Sequence, residues 1–152
     1  MVRNNGQASW KLSRPLGCRT CSSLAPMARF FWVCLAGAVG TGVRYLVAQG
    51  ASRALGVGFP YGTLVVNVVG CFLIAAVAHL AVAGTLISPT MRVVLTSGFI
   101  GGLTTYSAFN YETTRLLQDR TGLGVLNFAL TVVGCLLAGI LGTAAAQRLA
   151  GS

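Results

Sequence analysis

The sequence predicts an all-α membrane protein of four transmembrane helices with a break in the third. Three observations carry this prediction. Only 9% of the 152 residues are charged and the mean hydropathy is +0.75, whereas an ordinary soluble domain has about 25% charged residues. Four apolar stretches, about 30–49, 61–82, 92–117 and 123–146, are each long enough at ~1.5 Å rise per residue to cross a ~30 Å hydrocarbon core. The third of them contains Gly98 to Glu112, GFIGGLTTYSAFNYE, within a run that has no charge from Val93 to Tyr111.

That tract organises the rest. Lipid offers no partner to backbone N–H and C=O groups, so a span stays helical unless its irregular part is buried in protein or lines a wet cavity. Gly98, Gly101 and Gly102 weaken a helix, and the hydroxyls of Thr104, Thr105 and Ser107 compete for backbone groups. A break near the middle of the span is expected, with freed carbonyls of the kind that make ion sites. A small-residue packing face between straight helices is the alternative.

Residues 1–28 form a basic tail rich in Ser, Gly and Asn, without a periodic apolar face, and are expected to be disordered. Arg3, Lys11, Arg14, Arg19 and Arg29 account for five of the eleven positive charges and, with no acidic residue among them, for five of the net +9, so the net basicity belongs mostly to this end. The later arginines stand singly at the ends of apolar segments, which excludes a basic nucleic-acid face. Cys18 and Cys21 make a lone CxxC with no second pair at zinc-site spacing. Met27 is an alternative start to Met1. The membrane domain is expected over 29–152.

The first span carries Gly37, Gly40 and Gly42, which allow a close neighbour, and Arg44 at its far end, which either snorkels to the interface or has a buried role. Pro60 sits just ahead of the second span. There Thr63, Asn67 and Cys71 recur every four residues on one helical face. Asn67 is either an interhelical hydrogen-bonding group or one that faces water. His79 has no second His or carboxylate at metal spacing and is assigned no chemistry. Glu112 follows the expected break and is the only carboxylate in the apolar regions, either functional or interfacial. In the fourth span Asn127, Thr131 and Cys135 form a second stripe at four-residue spacing, suited to lining a narrow aqueous path or to bonding across helices.

Four spans put both termini on one side, with Arg29, Arg92 and Arg148; the other side holds Arg53, Arg115 and Arg120, and Arg44 lies near the boundary. The positive-inside bias is nearly absent outside the tail. Such a core is able to insert both ways and to assemble as an antiparallel pair, while the tail, where present, favours an N-inside orientation.

These residues resemble the CrcB/Fluc fluoride channels, four-span, dual-topology homodimers. GGLTTYSAFNYE, from Gly101 to Glu112, is similar to that family's third-span signature; GTLVVNVVGCF, from Gly62 to Phe72, to its second-span pattern; GAVGTGVRY, from Gly37 to Tyr45, to its first-span run. The resemblance covers about Met27 to Ala150. It implies a structural sodium ion (Na+) at the dimer centre, held by backbone carbonyls of Gly101 and Thr104. It also implies a fluoride path lined by the rings of Tyr106 and Phe109, where the family has two phenylalanines. Asn67 matches its pore-facing asparagine, Ser107 is a hydroxyl candidate on the same path, and Asn127 and Thr131 correspond to its fourth-span polar track. Arg44 and Glu112 fall on family positions with either an electrostatic or a pairing role.

The function implied is a fluoride-selective channel in the cell (plasma or inner) membrane, exporting F⁻ passively from the cytoplasm, as a homodimer or a dimer with a paralogue. The alternative is a small multidrug-type proton-coupled antiporter. That activity needs a glutamate in the first span, and 30–49 contains no Asp or Glu. No nucleic-acid partner is expected, and an enzyme is disfavoured because no Ser-His-Asp set, metal cluster or carboxylate pair is available.

Overall fold

Helix boundaries in this chain follow local chemistry that hydropathy alone does not reveal. The computed structural model describes residues 21–82 and 87–151; the expected disordered tail up to residue 20, with Cys18, lies outside the described residues. Helix α1 runs Cys21–Leu55, beyond the expected span at both ends. It stops where the Gly56 N–H returns to the Ser52 carbonyl (3.1 Å) at a positive φ of 82°, a backbone state that glycine alone adopts without a steric penalty. Pro60 then opens α2, Tyr61–Val82, whose Leu64 N–H reaches the Pro60 carbonyl at 3.1 Å. The expected second span has these same limits.

The third tract is a series of pieces. Ser88 caps α3, Pro89–Val93, by accepting the Met91 N–H at 3.2 Å, with Pro89 in the first turn where its missing N–H leaves nothing unpaired. A π-helical segment follows over Val94–Ile100, then α4 over Gly101–Leu103. Thr104 and Thr105 are extended, and α5 resumes over Tyr106–Asp119. Helix α6, Thr121–Ala150, ends at Gly151, again at positive φ.

Three of these helices are long and apolar enough to cross a membrane: α1 from Pro26, α2 and α6. Most large apolar side chains on them face outward, among them Phe30, Leu46, Val65, Leu136 and Ile140. The interior is narrow and made of small and hydroxyl residues. Helix α2 packs most extensively on α6, and α1 on the broken tract. Glycine makes both seams. A Cβ at Gly142 would lie 2.3 Å from the Phe72 carbonyl oxygen, and one at Gly40 would lie 2.1 Å from that of Phe99. Without a hydrophobic drive between helices in lipid, such close backbone approach is what dispersion forces need. Contacts climb together along α2 and α6, from Val68 with Gly134 to Phe72 with Gly142, so these two helices run in the same direction.

Candidate functional site

The break falls at Thr104–Thr105, near the middle of the expected third span and at two of the hydroxyl residues expected to contribute to it, just beyond the glycines. Those glycines serve packing. A Cβ on Gly98 would come within 2.9 Å of Ala36 Cβ and the Val33 carbonyl, and one on Gly102 within 2.4 Å of the Gly37 carbonyl. The hydroxyl residues make the break. Thr105 Oγ1 accepts the Ala108 N–H at 3.2 Å and caps α5 from an extended backbone (φ −153°, ψ 111°).

Asn67 completes it from outside. Its Oδ1 accepts the Thr105 N–H at 2.8 Å, and its Nδ2 donates to the Thr105 carbonyl at 3.2 Å. One carboxamide thus pairs with both polar groups of one residue, and both residues are buried. The consequence lies one turn back. In a continuous helix the Thr105 N–H would close on the Gly101 carbonyl and the Ala108 N–H on the Thr104 carbonyl. Both donors are diverted, to Asn67 and to the Thr105 hydroxyl. The two carbonyls expected to hold a cation are therefore without their helical partners, and oxygen dipoles of this kind suit a hard cation such as sodium. The residues present fit the ion.

Two cavities flank the break, and Thr105 lines both. The first, of about 340 Å³, is bounded by Asn67, Thr104, Tyr106, Phe109, Thr131 and the two cysteines Cys71 and Cys135, together with aliphatic side chains. No charged residue among the described ones lines it. Tyr106 is 78% exposed, and its ring lies 5.8 Å from that of the buried Phe109, tilted by 57°. Phe109 in turn stacks at 6.3 Å on Phe128. The Thr131 hydroxyl is buried with no partner among the described residues. An unpaired buried hydroxyl in a cavity wall marks a place where a ligand or water completes its bonding.

The second cavity, of about 280 Å³, brings Arg44 and Glu112 together with Thr41, Tyr45 and Thr63. Thr63 Oγ1 donates to Glu112 Oε1 at 2.9 Å, while Oε2 is buried without a partner among the described residues. Arg44 and Glu112 thus share a chamber, and Arg115–Asp119, at 3.9 Å on an exposed face, is the one ion pair among the described residues.

Two expected path residues stand elsewhere. Ser107 is exposed beyond the cap, its hydroxyl 3.2 Å from that of Thr105. Asn127 is 1% exposed and donates to Thr113 Oγ1 at 2.8 Å, tying α6 to α5 outside the first cavity. Sequence reasoning passed over Thr113 as a partner. Its signal was the i, i+4 spacing from Phe109, which puts it on the inward face of α5.

A family profile described as CrcB-like protein, Camphor Resistance (CrcB), matches residues 31–143. The chain is 48% identical over 124 residues to the fluoride-specific ion channel FluC of Sorangium cellulosum (strain So ce56), covering 81% of this chain and 98% of that protein. It is 46% identical over 126 residues to the FluC of Anaeromyxobacter sp. (strain K), covering 82% and 100%. The FluC of Geobacter sulfurreducens is 43% identical over 124 residues, covering 81% and 100%.

Proposed function

This chain belongs to the CrcB-like protein family, and on that premise we propose that it is a fluoride-specific ion channel letting F⁻ leave the cytoplasm passively. It is a multi-pass membrane protein and not an enzyme. The observation that carries the reading is the first cavity: a carboxamide, hydroxyls and two aromatic rings converge there without a charged side chain.

Fluoride is small and strongly hydrated, so a path must replace its water with donors, yet release it. A fixed cation would hold it; neutral dipoles and ring edges bind more weakly. Asn67 has a second N–H beyond the one given to Thr105. The Thr131 hydroxyl is unpaired, and the edges of Tyr106 and Phe109 are electropositive. The Tyr106 phenol adds an O–H donor. Arg44 in the second cavity attracts anions toward the break, and Glu112, held by Thr63, limits that attraction.

The tract Pro89–Asp119 is the fourth crossing, its irregular backbone shielded by α1 and α2 rather than exposed to lipid. Two chains pair antiparallel as a homodimer in the inner membrane. Support comes from the balanced arginines and from the carbonyls of Gly101 and Thr104: one chain offers a hard cation fewer oxygens than it takes. Sodium bound there by both chains would offset the partial negative charge at the end of α4.

The test is efflux from liposomes holding the purified protein. Fluoride should leave rapidly while chloride does not. Equal rates for the two anions, or no fluoride efflux from well-folded protein, would overturn the reading.

A further inference from the structure

Cys71 and Cys135 remain unused by the channel reading. One stands on α2 and the other on α6, both half-buried, both lining the first cavity beside Asn67 and Thr131. Cys135 lies one helical turn before Gly139, whose neighbour across the seam is the Cys71 backbone, so both side chains enter the cavity at the same level. The seam holds them there: Gly134 abuts Val68 (3.1 Å), Gly139 faces the Cys71 carbonyl (4.0 Å) and Gly142 meets Phe72, so the backbones that carry the two thiols are pressed together.

We propose that Cys71 and Cys135 form a two-thiol binding site for a soft divalent d10 cation, of which Hg2+ is the type, in the wall of the fluoride path, and that occupation closes the path.

The chemistry selects the ligand. Paired thiols are soft donors and favour soft cations. No group of three or more His, Cys, Asp or Glu exists among the described residues, so these residues of one chain do not supply the ligand set of a structural zinc or an iron–sulfur site. Two sulfurs satisfy a cation that prefers linear two-coordination. Charge then decides between cations. Each thiol gives its proton to water, two S–Hg bonds form, and no electron is transferred. Two thiolates with a divalent cation make a neutral bridge, which suits a largely apolar cavity. With a monovalent cation the bridge stays anionic and is disfavoured by desolvation. A neutral bridge spanning α2 and α6 fills space next to Asn67 and Thr131, the donors on which conduction depends. The inhibitory part rests on the channel reading; the binding part does not.

The test uses the full chain with Cys18, Cys21 and Cys34 replaced by serine, leaving the pair. Native mass spectrometry after exposure to Hg2+ should show one metal per chain with two protons lost. Replacing either partner, Cys71→Ser or Cys135→Ser, removes the second bond and should raise the concentration needed to retain the metal against a competing monothiol by about 100-fold or more. Fluoride efflux, taken relative to each protein's own metal-free rate, should fall to the leak of protein-free vesicles in the pair-containing protein and stay unchanged by metal when both cysteines are serine. Two metals per chain, or equal block without the cysteines, would overturn the proposal. Metal bound with two protons lost but full efflux would overturn its inhibitory half. Protein that passes no fluoride before metal is added refutes the channel reading instead, and the mass measurement alone then decides the site.

Discussion

Replacing Asn67 with alanine should weaken the fold and abolish conduction together, because one side chain both splints the break and lines the path. Asn67 exchanges two buried hydrogen bonds with Thr105, at 2.8 and 3.2 Å. Interhelical hydrogen bonds in membrane proteins contribute about 0.6 kcal/mol on average and up to about 1.7, and an orphaned buried backbone group costs about 1–3. Losing both bonds at once should therefore cost about 1–3 kcal/mol, a factor of about 5 to 150 in the folded-to-unfolded ratio. Asn67→Asp separates the two roles. It keeps an acceptor for the Thr105 N–H but sets an anionic oxygen against the Thr105 carbonyl and toward the anion path. It should pass no fluoride and lose stability by a different amount. The assay is a denaturant titration of the protein in mixed micelles, read by tryptophan fluorescence, alongside liposome efflux. An Asn67→Ala protein as stable as the parent within about 0.5 kcal/mol would refute the splint, and normal efflux would refute the role in the path.

Four further outcomes are expected. Tyr106→Phe removes a hydroxyl from a largely exposed ring, so stability should hold within about 0.5 kcal/mol while the fluoride rate in single-vesicle efflux changes, isolating the phenol's part in conduction. Thr131→Val, nearly isosteric, removes an unpaired buried hydroxyl; the protein should be no less stable on thermal unfolding yet slower in fluoride efflux. Gly142→Ala places a methyl against the Phe72 carbonyl and should lower the melting temperature, whereas Gly122→Ala, with open space around it, should leave it unchanged or raise it. Replacing sodium by a large organic cation should slow fluoride efflux, and restoring sodium should recover it; sodium-independent rates would remove the cation from the reading.

The class of fold and the presence of a break were legible in the sequence because lipid leaves few choices: low charge, four apolar tracts and a hydroxyl-rich interruption admit few other arrangements. Its place near the middle of the 92–117 span was legible too, at Thr104–Thr105; which of the neighbouring residues cause it was not. Glycine weakens a helix in isolation, yet Gly98 and Gly102 lie where α1 comes closest, and no local pattern reveals which helix will press on a glycine. Asn67 was legible as a group needing a partner; that its partner is a backbone peptide 38 positions away could not be read from spacing. The polar stripe of α6 was read as one face, and the structure divides it. Asn127 points at Thr113 while Thr131 and Cys135 reach the cavity, because α5 covers only part of the face that a four-residue period defines.

A single substitution of partners connects these features. Helix α4 ends because the Thr105 amide finds a better-placed acceptor on α2, and α5 begins because the Thr105 hydroxyl takes the Ala108 amide. Each diversion frees a carbonyl on one side of the break and orients a donor-bearing residue on the other. Carbonyls that suit a cation and a carboxamide that suits an anion thus arise from the same hydrogen bonds. The two ion environments are not independent inventions of the sequence: removing the Asn67 side chain takes the donor from the anion path and releases the Thr105 peptide that holds the break open, and so disturbs both. Conduction and cation dependence should therefore be lost together in Asn67→Ala, whereas Tyr106→Phe should alter conduction and leave the sodium requirement intact.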